Sequence, residues 1–367
     1  MNNIIKLNAQ NCQNCFKCIR ECPLKAIEFK DGKTNIIEDE CVLCGTCMEI
    51  CPRSAKYVRH NRAAVETLIA SGKPVCVSLA PSYTGFFGTN RFAKMSAALK
   101  KLGFSVVEET AIGAAEVSKE YARLMKDGHM KNIIATACSS VVMLIERHFP
   151  ELIGQLAPVS SPMMAHARMM REAYGDIHVV FIGPCLSKMF EADDPLAGGM
   201  VDQVLNFRDI EKWFAEEGIT LDEDDGEACG VKEPLMRQYP KMEGIIQTIP
   251  DFSGYAPIAV DGVDRCLEFF TSMRDDQIDH IFVEANICAG GCIGGPLMRM
   301  QKKNLIRSTT LLTAHAIEED RTPAKSIDAK TPHPRVFADR SVEMKMPSEE
   351  EIRQILATIG KTSPEQE

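Results

Sequence analysis

The 367-residue chain has no apolar run near the about 18 residues that a membrane-spanning helix needs, so no membrane span is expected. Its opening residues, Met1 to Gln10, lack a basic stretch followed by a long apolar one. No secretory signal is therefore read, and the protein is placed in the cytoplasm. A basic excess is missing too. The formal charge is −9 with cysteines counted as neutral thiols, which argues against nucleic acid as the main partner. No low-complexity tract occurs, and the histidines show no metal-ligand spacing. What the chain does hold is cysteine. Fifteen of them in a chain read as cytoplasmic point to metal ligation rather than disulfides. The length suggests two or three structural units, and 45% apolar content suffices for a large core.

Cys12, Cys15, Cys18 and Cys22 read C-x2-C-x2-C-x3-C and precede Pro23. Cys41, Cys44, Cys47 and Cys51 repeat the pattern before Pro52, with a period of 29 residues. Three thiolates on one tight loop reach three corners of one iron–sulfur cube, while the fourth, followed by proline, points to the other cube. Cys12, Cys15, Cys18 and Cys51 are thus expected to hold one [4Fe–4S] cluster, and Cys41, Cys44, Cys47 and Cys22 a second. Zinc competes for a lone C-x2-C, but a tetrahedral site takes four ligands, not eight interleaved ones. Residues 1–60 resemble bacterial two-cluster ferredoxins, which implies a small α+β domain and electron transfer.

A helical stretch, Asn61 to Ser71, leads to Gly72-Lys73-Pro74, a natural boundary. The expected organisation is a cluster domain at 1–60, a linker helix at 61–73, a large domain at 74–345 and a C-terminal helix and tail at 346–367. Strands are expected at Val75–Leu79, Ser105–Glu108, Asn132–Thr136, His178–Ile182 and His280–Val283. Helices are expected at Arg91–Leu102, Ala111–Lys126 and Arg208–Glu217. This rhythm indicates an α/β fold with mostly parallel sheet. Leu221–Gly254 has no assignable pattern, Pro323–Pro334 reads as loop, and Lys361–Glu367 as a frayed end. Ser348-Glu-Glu-Glu opens a capped helix to about Ile359.

Four later cysteines share a context. Cys138 follows one predicted strand, Cys185 another, and Cys288 and Cys292 a third. In open α/β sheets, ligands bind beyond the carboxyl ends of strands, so these thiols can converge on one cofactor. Cys76, Cys229 and Cys266 lack that context and read as buried free cysteines. The run Met163 to Met170 reads as core packing, with His166 a satisfied core histidine.

The three segments, Ala135-Thr-Ala-Cys-Ser-Ser140, Gly183-Pro-Cys-Leu-Ser-Lys188 and Cys288-Ala-Gly-Gly-Cys-Ile-Gly-Gly295, resemble the cofactor-binding signatures of [FeFe]-hydrogenases over about residues 74–310. The resemblance implies two lobes around a buried H-cluster: a [4Fe–4S] cube joined through a cysteine to a diiron unit carrying CO, CN⁻ and azadithiolate, installed by maturation enzymes. Cys138, Cys185, Cys288 and Cys292 match the cube ligands, and Cys292 the bridging one. Lys188 matches the lysine that hydrogen-bonds a cyanide, and Glu191 a glutamate of the second signature. Ala80-Pro81-Ser82 matches the segment beside the diiron unit. The implied substrates are H₂ and protons, with a redox partner protein such as a ferredoxin.

The departures from the family pattern carry their own reading. Ala137 stands where the proton-relaying cysteine is usual, and a methyl group cannot relay a proton. Gly183 and Asn286 replace methionines, and Pro296 follows Gly295 where the family has glutamine. The helix Ala111–Lys126 lacks the usual paired glutamates, Glu116 and Glu120 being unaligned with them. This pattern is similar to the sensory branch of the family, which implies slow or regulatory H₂ chemistry and a signalling partner or downstream sensor module. Glu191 and Glu284 are candidates for another proton route, or else ion-pair partners. Restoring the thiol, Ala137→Cys, is expected to raise H₂ evolution provided the rest of the path can follow. The competing reading is a homologue that keeps only [4Fe–4S] clusters, in iron–sulfur assembly or electron transfer.

Overall fold

The computed structural model describes residues 4–225, 230–275, 278–300, 304–317, 324–328, 334–342, 348–358 and 363. In the eight-cysteine segment, β1 (Ile5–Leu7), β2 (Ile27–Lys30), β3 (Lys33–Ile36) and β4 (Lys56–Val58) form two antiparallel pairs, β1 with β4 and β2 with β3. The sequence duplication reappears in the backbone. Single-turn helices Lys17–Arg20 and Thr46–Glu49 occupy equivalent places in the two halves. Left-handed residues also recur in register: Asn14 and Phe16 (φ 52° and 56°) match Leu43 and Gly45 (φ 57° and 78°), and Lys25 (53°) matches Ser54 (47°). Such a conformation costs a side-chain-bearing residue roughly 1–2 kcal/mol, so its repetition shows that the cysteine loops themselves demand the curl.

After the helix Arg62–Ala70 come β5 (Val75–Leu79), β6 (Val106–Glu109), β7 (Ile133–Ile134), β8 (His178–Gly183), β9 (Gln203–Asn206), β10 (Ala256–Asp261) and β11 (Ile281–Asn286). They form two all-parallel sheets, one in the order β6-β5-β8-β9 and the other β10-β11-β7. The central strands β5 and β11 are buried along their whole length, as in sheets covered on both faces, and their near-continuous apolar runs follow from that. The helices Ala111–Asp127, Ser139–His148 and Pro162–Tyr174 supply much of the cover. Two apolar cores, one under each sheet, meet a third built round the helix Ala111–Asp127.

The α/β reading holds, and several limits move. β7 has two residues rather than five, because side chains take the backbone N–H groups at its ends: Ile281 N donates to Asn132 Oδ1 and Thr136 N to the Tyr121 hydroxyl. Asn132 donates to Gln155 and the Ile278 carbonyl, and Thr136 to the Val159 carbonyl. β11 runs on to Asn286, its buried Glu284 and Asn286 having masked the strand in the sequence. β9 and β10 were not anticipated. Ser348 and Glu351 cap the helix Glu349–Thr358 reciprocally, at 2.7 and 3.3 Å. Within Pro323–Pro334, residues Lys325–Asp328 form a 3-10 turn, and most of the remaining loop lies outside the described residues, as does Lys361–Glu367 except Ser363. No helix among the described residues is long and apolar enough to cross a membrane.

Candidate metal centre

The ends of three parallel strands deliver the four later cysteines. Cys138 caps the helix Ser139–His148 after β7, Cys185 follows β8, and Cys288 and Cys292 follow β11. All four line one cavity of about 390 Å³. Burial pushes the thiols of Cys138, Cys288 and Cys292 upward, and the neighbouring sulfurs add to it. Four thiolates so placed repel one another, so the set is stable as thiolates only around a compensating cation.

A second cavity of about 650 Å³ abuts the first and shares Cys138, Cys185 and Cys292 with it, but not Cys288. Ala80, Pro81, Ser82, Ala137 and Lys188 stand on its wall. The Ser82 hydroxyl is buried with no hydrogen-bond partner among the described residues, which marks a wall made for a polar guest. Lys188 Nζ donates to Glu191 Oε2 (2.5 Å) and to the Ala137 carbonyl (3.0 Å). The donor set therefore suits an anionic, sulfur-ligated group: thiols on one side, a buried cation and a free hydroxyl on the other.

Glu191 sits among cations and a hydroxyl donor. It accepts from Lys188, from Ser139 Oγ (2.6 Å) and from Arg335 Nη1 (2.7 Å). Burial pushes its carboxyl up, but the two cations outweigh that and hold it at about 2, ionised at neutral pH. Its alternative reading, an ion-pair partner, describes what the structure shows. Glu284 behaves oppositely. It accepts from the Ile245 and Ile246 N–H groups (2.9 Å each) and from Asn286 Nδ2 (3.3 Å). Burial drives it to about 7, and no cation among the described residues pairs with it.

The departures have local causes. A Cβ on residue 183 would lie 2.6 Å from the Phe181 ring, and Phe181 faces the larger cavity. Asn286 lines both cavities. Pro296 packs on Gly45, where φ is 78° and a Cβ would meet Pro296 Cγ at 2.4 Å. Gly45 and Leu43 belong to the second N-terminal cysteine loop, and Leu43 lines the four-cysteine cavity. The charges of Cys22 and Cys44 act on Cys41 and Cys47, so Cys22 sits with the loop 41–47 across the duplication. Cys15 of the first loop is exposed.

The helix Ala111–Asp127 turns its glutamates outward. Glu116 pairs with Lys119 (2.7 Å) and Glu120 with Arg123 (2.6 Å). Its buried face carries Ser118 and Tyr121, whose hydroxyl accepts from Thr136 N at 2.9 Å. No acid on that helix backs Ala137. Met163 belongs to the core and also lines the cavity, contrary to the packing-only expectation. Met236, Tyr239 and Ile245 line it too. They come from the stretch Leu221–Gly254, whose 3-10 turns left no periodic signal. Cys76 and Cys266 are buried, and Cys229 lies outside the described residues.

The 4Fe-4S dicluster domain family matches residues 4–52. Among curated relatives, the chain is 24% identical to iron hydrogenase 1 of Clostridium pasteurianum, over 79% of this chain and 64% of that protein. It is also 24% identical to the cytosolic Fe-S cluster assembly factor NAR1 of Encephalitozoon cuniculi, over 52% of this chain and 58% of that one. The chain thus spans less than two thirds of either relative. Among solved structures, the [FeFe]-hydrogenase HydA1 of Chlamydomonas reinhardtii superposes with a TM-score of 0.57 at 18% identity, over 77% of this chain and all of that one. The iron only hydrogenase large subunit, C-terminal domain, family matches residues 73–250 and 233–296, and the chain belongs to that family.

Proposed function

We propose that the chain is a slow or H₂-sensing [FeFe]-hydrogenase that interconverts H₂ with protons and electrons. The observation that carries this reading is the pair of abutting cavities, one ringed by Cys138, Cys185, Cys288 and Cys292, the other walled by three of them and Lys188. Those cysteines would hold the cube, with Cys292 reaching the diiron side, where Ala80, Pro81, Ser82 and Ala137 form the wall. When bound, the H-cluster supplies the site for splitting and forming H₂. Lys188 supplies positive charge to its anionic ligands, which offsets the burial of both.

Electrons would enter at the cluster of Cys12, Cys15, Cys18 and Cys51 and pass to that of Cys22, Cys41, Cys44 and Cys47. Leu43 and Gly45 press this second loop against the four-cysteine cavity. A one-electron carrier such as a ferredoxin is the proposed redox partner, and the cytoplasm the proposed location. A sensory role would add a signalling partner or a downstream sensor module.

The slow character follows from Ala137. The thiol is absent, and behind it lie Tyr121 and Thr136 rather than an acid. Glu284, held at about 7 beside Asn286, is the proposed proton-holding group near the cavity. Since the path does not continue behind Ala137, Ala137→Cys alone should gain far less than the about 10²-fold that a positioned proton donor contributes. H₂ evolution by matured wild type and variant, assayed side by side, checks this.

A second reading, a cube-only protein in iron–sulfur assembly, is favoured by the likeness to the Encephalitozoon protein. Infrared spectroscopy of matured protein separates the two. Hydrogenase predicts CO and CN⁻ stretches that shift under H₂, and iron beyond that of three cubes. Bare cubes with no such stretches, after maturation proven on a control hydrogenase, would sink the first reading.

A further inference from the structure

Ala137 leaves the entry of protons unexplained, and among the described residues Glu284 is bonded to backbone N–H groups and Asn286 rather than to a further proton carrier. Another row of polar groups runs outward from the wall of the larger cavity. Thr110, on that wall, shares a 2.8 Å hydrogen bond with Ser78 Oγ. Ser78 Oγ lies 2.8 Å from His166 Nδ1. His166 Nε2 lies 3.1 Å from Glu108 Oε2, and Glu108 Oε1 accepts from the Tyr174 hydroxyl at 2.5 Å. Tyr174 is half-buried at the last turn of the helix Pro162–Tyr174. Each link is within hydrogen-bond reach, and each group can both take and give a proton.

The placement is not what core packing alone would choose. Ser78 and Glu108 are register partners on β5 and β6, at buried positions where parallel strands usually carry Val, Ile or Leu. A buried polar network is tolerated only when every member is satisfied, and this one is. Ser326 Oγ donates to Glu108 at 2.5 Å as a third partner. Burial pushes the Glu108 carboxyl up, but its contacts with His166, Ser326 and Tyr174 outweigh it, so it rests as an acceptor. Of the other charged groups around it, Lys325 stands 5.1 Å over the Tyr174 ring, Cys76 feels the Glu108 charge from β5, and Glu109 turns to Arg237 and His315.

We propose that Tyr174, Glu108, His166, Ser78 and Thr110 form a proton relay into the larger cavity, an inference that rests on the hydrogenase reading. In one inward passage, Tyr174 hands its hydroxyl proton to Glu108 and takes one from water. The Glu108 carboxyl, neutral once it holds that proton on Oε1, turns and passes it to His166 Nε2, which is bare in the tautomer that carries its proton on Nδ1, and Nδ1 releases that proton to Ser78. Ser78 and Thr110 each take one proton and give one up. One proton moves in total and no residue changes charge. The imidazole and the hydroxyls must then turn back, which suits a slow catalyst and gives Thr110 a role without any thiol at Ala137.

Thr110→Val is the direct test, because it keeps the shape and removes the hydroxyl. In matured holoenzyme it should lower H₂ evolution by about 10²-fold, with CO and CN⁻ stretches intact and a changed solvent isotope effect and pH profile. Thr110→Ser should restore the rate, and Glu120→Gln, on the exposed helix face, should leave it unchanged. Should Thr110→Val not fold, Ser78→Ala carries the same expectation. The redox infrared difference spectrum should also contain a carboxylate band that Glu108→Gln abolishes. Wild-type turnover and isotope effect in Thr110→Val, or no band dependent on Glu108, overturn the relay alone. Absence of CO and CN⁻ stretches from the wild type overturns the hydrogenase reading, and the relay with it.

Discussion

Protein carrying Cys288→Ser is expected to lose one cube, keep both N-terminal clusters and evolve no measurable H₂. Cys288 borders only the four-cysteine cavity, so its loss should act on the cube without touching the wall of the larger cavity directly. The thiols of Cys138, Cys288 and Cys292 are pushed up by burial and by neighbouring sulfurs, so they lose their protons only as iron arrives. A serine hydroxyl gives up its proton far less readily and is a harder donor, ill matched to iron–sulfur ligation. Iron and sulfide quantitation with electron paramagnetic resonance of the reduced protein should register three clusters in the wild type and two in the variant. Cys266→Ser is the control. That thiol is fully buried and donates weakly to the Asn286 carbonyl, yet lines neither cavity, so all three clusters should remain.

That experiment also tests how far the sequence alone reached. The cysteine spacing was legible because a cube dictates its own ligand pattern, and the same constraint appears as left-handed residues repeated in both loops. The two parallel sheets were legible through apolar strands such as Val75–Leu79 alternating with amphipathic helices. The larger cavity was only half visible. Met236 lies in a 3-10 turn, and Tyr239 and Ile245 lie at the ends of such turns, which have no period for a pattern to expose. The burial of Glu284 hid a strand extension and also set its affinity for protons, since both follow from a carboxylate placed in a central strand. Glu191 shows the reverse limit. Its position by signature was clear, but Arg335, which fixes its charge, lies 144 residues away in a region without motif.

Arg237→Met is expected to destabilise the protein by about 3–5 kcal/mol, the usual result of removing one partner from a buried ion pair. Arg237 and Glu109 are both fully buried and joined by bonds of 2.6 and 2.8 Å. Arg237 Nη1 donates to the His315 carbonyl at 3.1 Å, and His315 Nε2 lies 2.6 Å from Glu109 Oε1. Burial pushes Glu109 up, but His315 and Arg237 outweigh it and hold the carboxyl at about 2 against an ordinary 4.5. With its native affinity depressed, Glu109 contributes stability that is present above pH 4.5 and lost as pH falls from there toward 2. The variant should therefore show a shallower loss of stability with acid than the wild type. Denaturant melts of the apo-protein at several pH values measure both effects. Replacing the pair together, Glu109→Gln with Arg237→Met, should recover part of the loss, because no uncompensated charge is left inside. The consequence reaches the site. Thr110 follows Glu109, and Met236 and Tyr239 flank Arg237, so this one ion pair ties together two walls of the larger cavity. Arg237→Met protein that still folds should bind its diiron unit in a less uniform setting, seen as broadened CO and CN⁻ stretches.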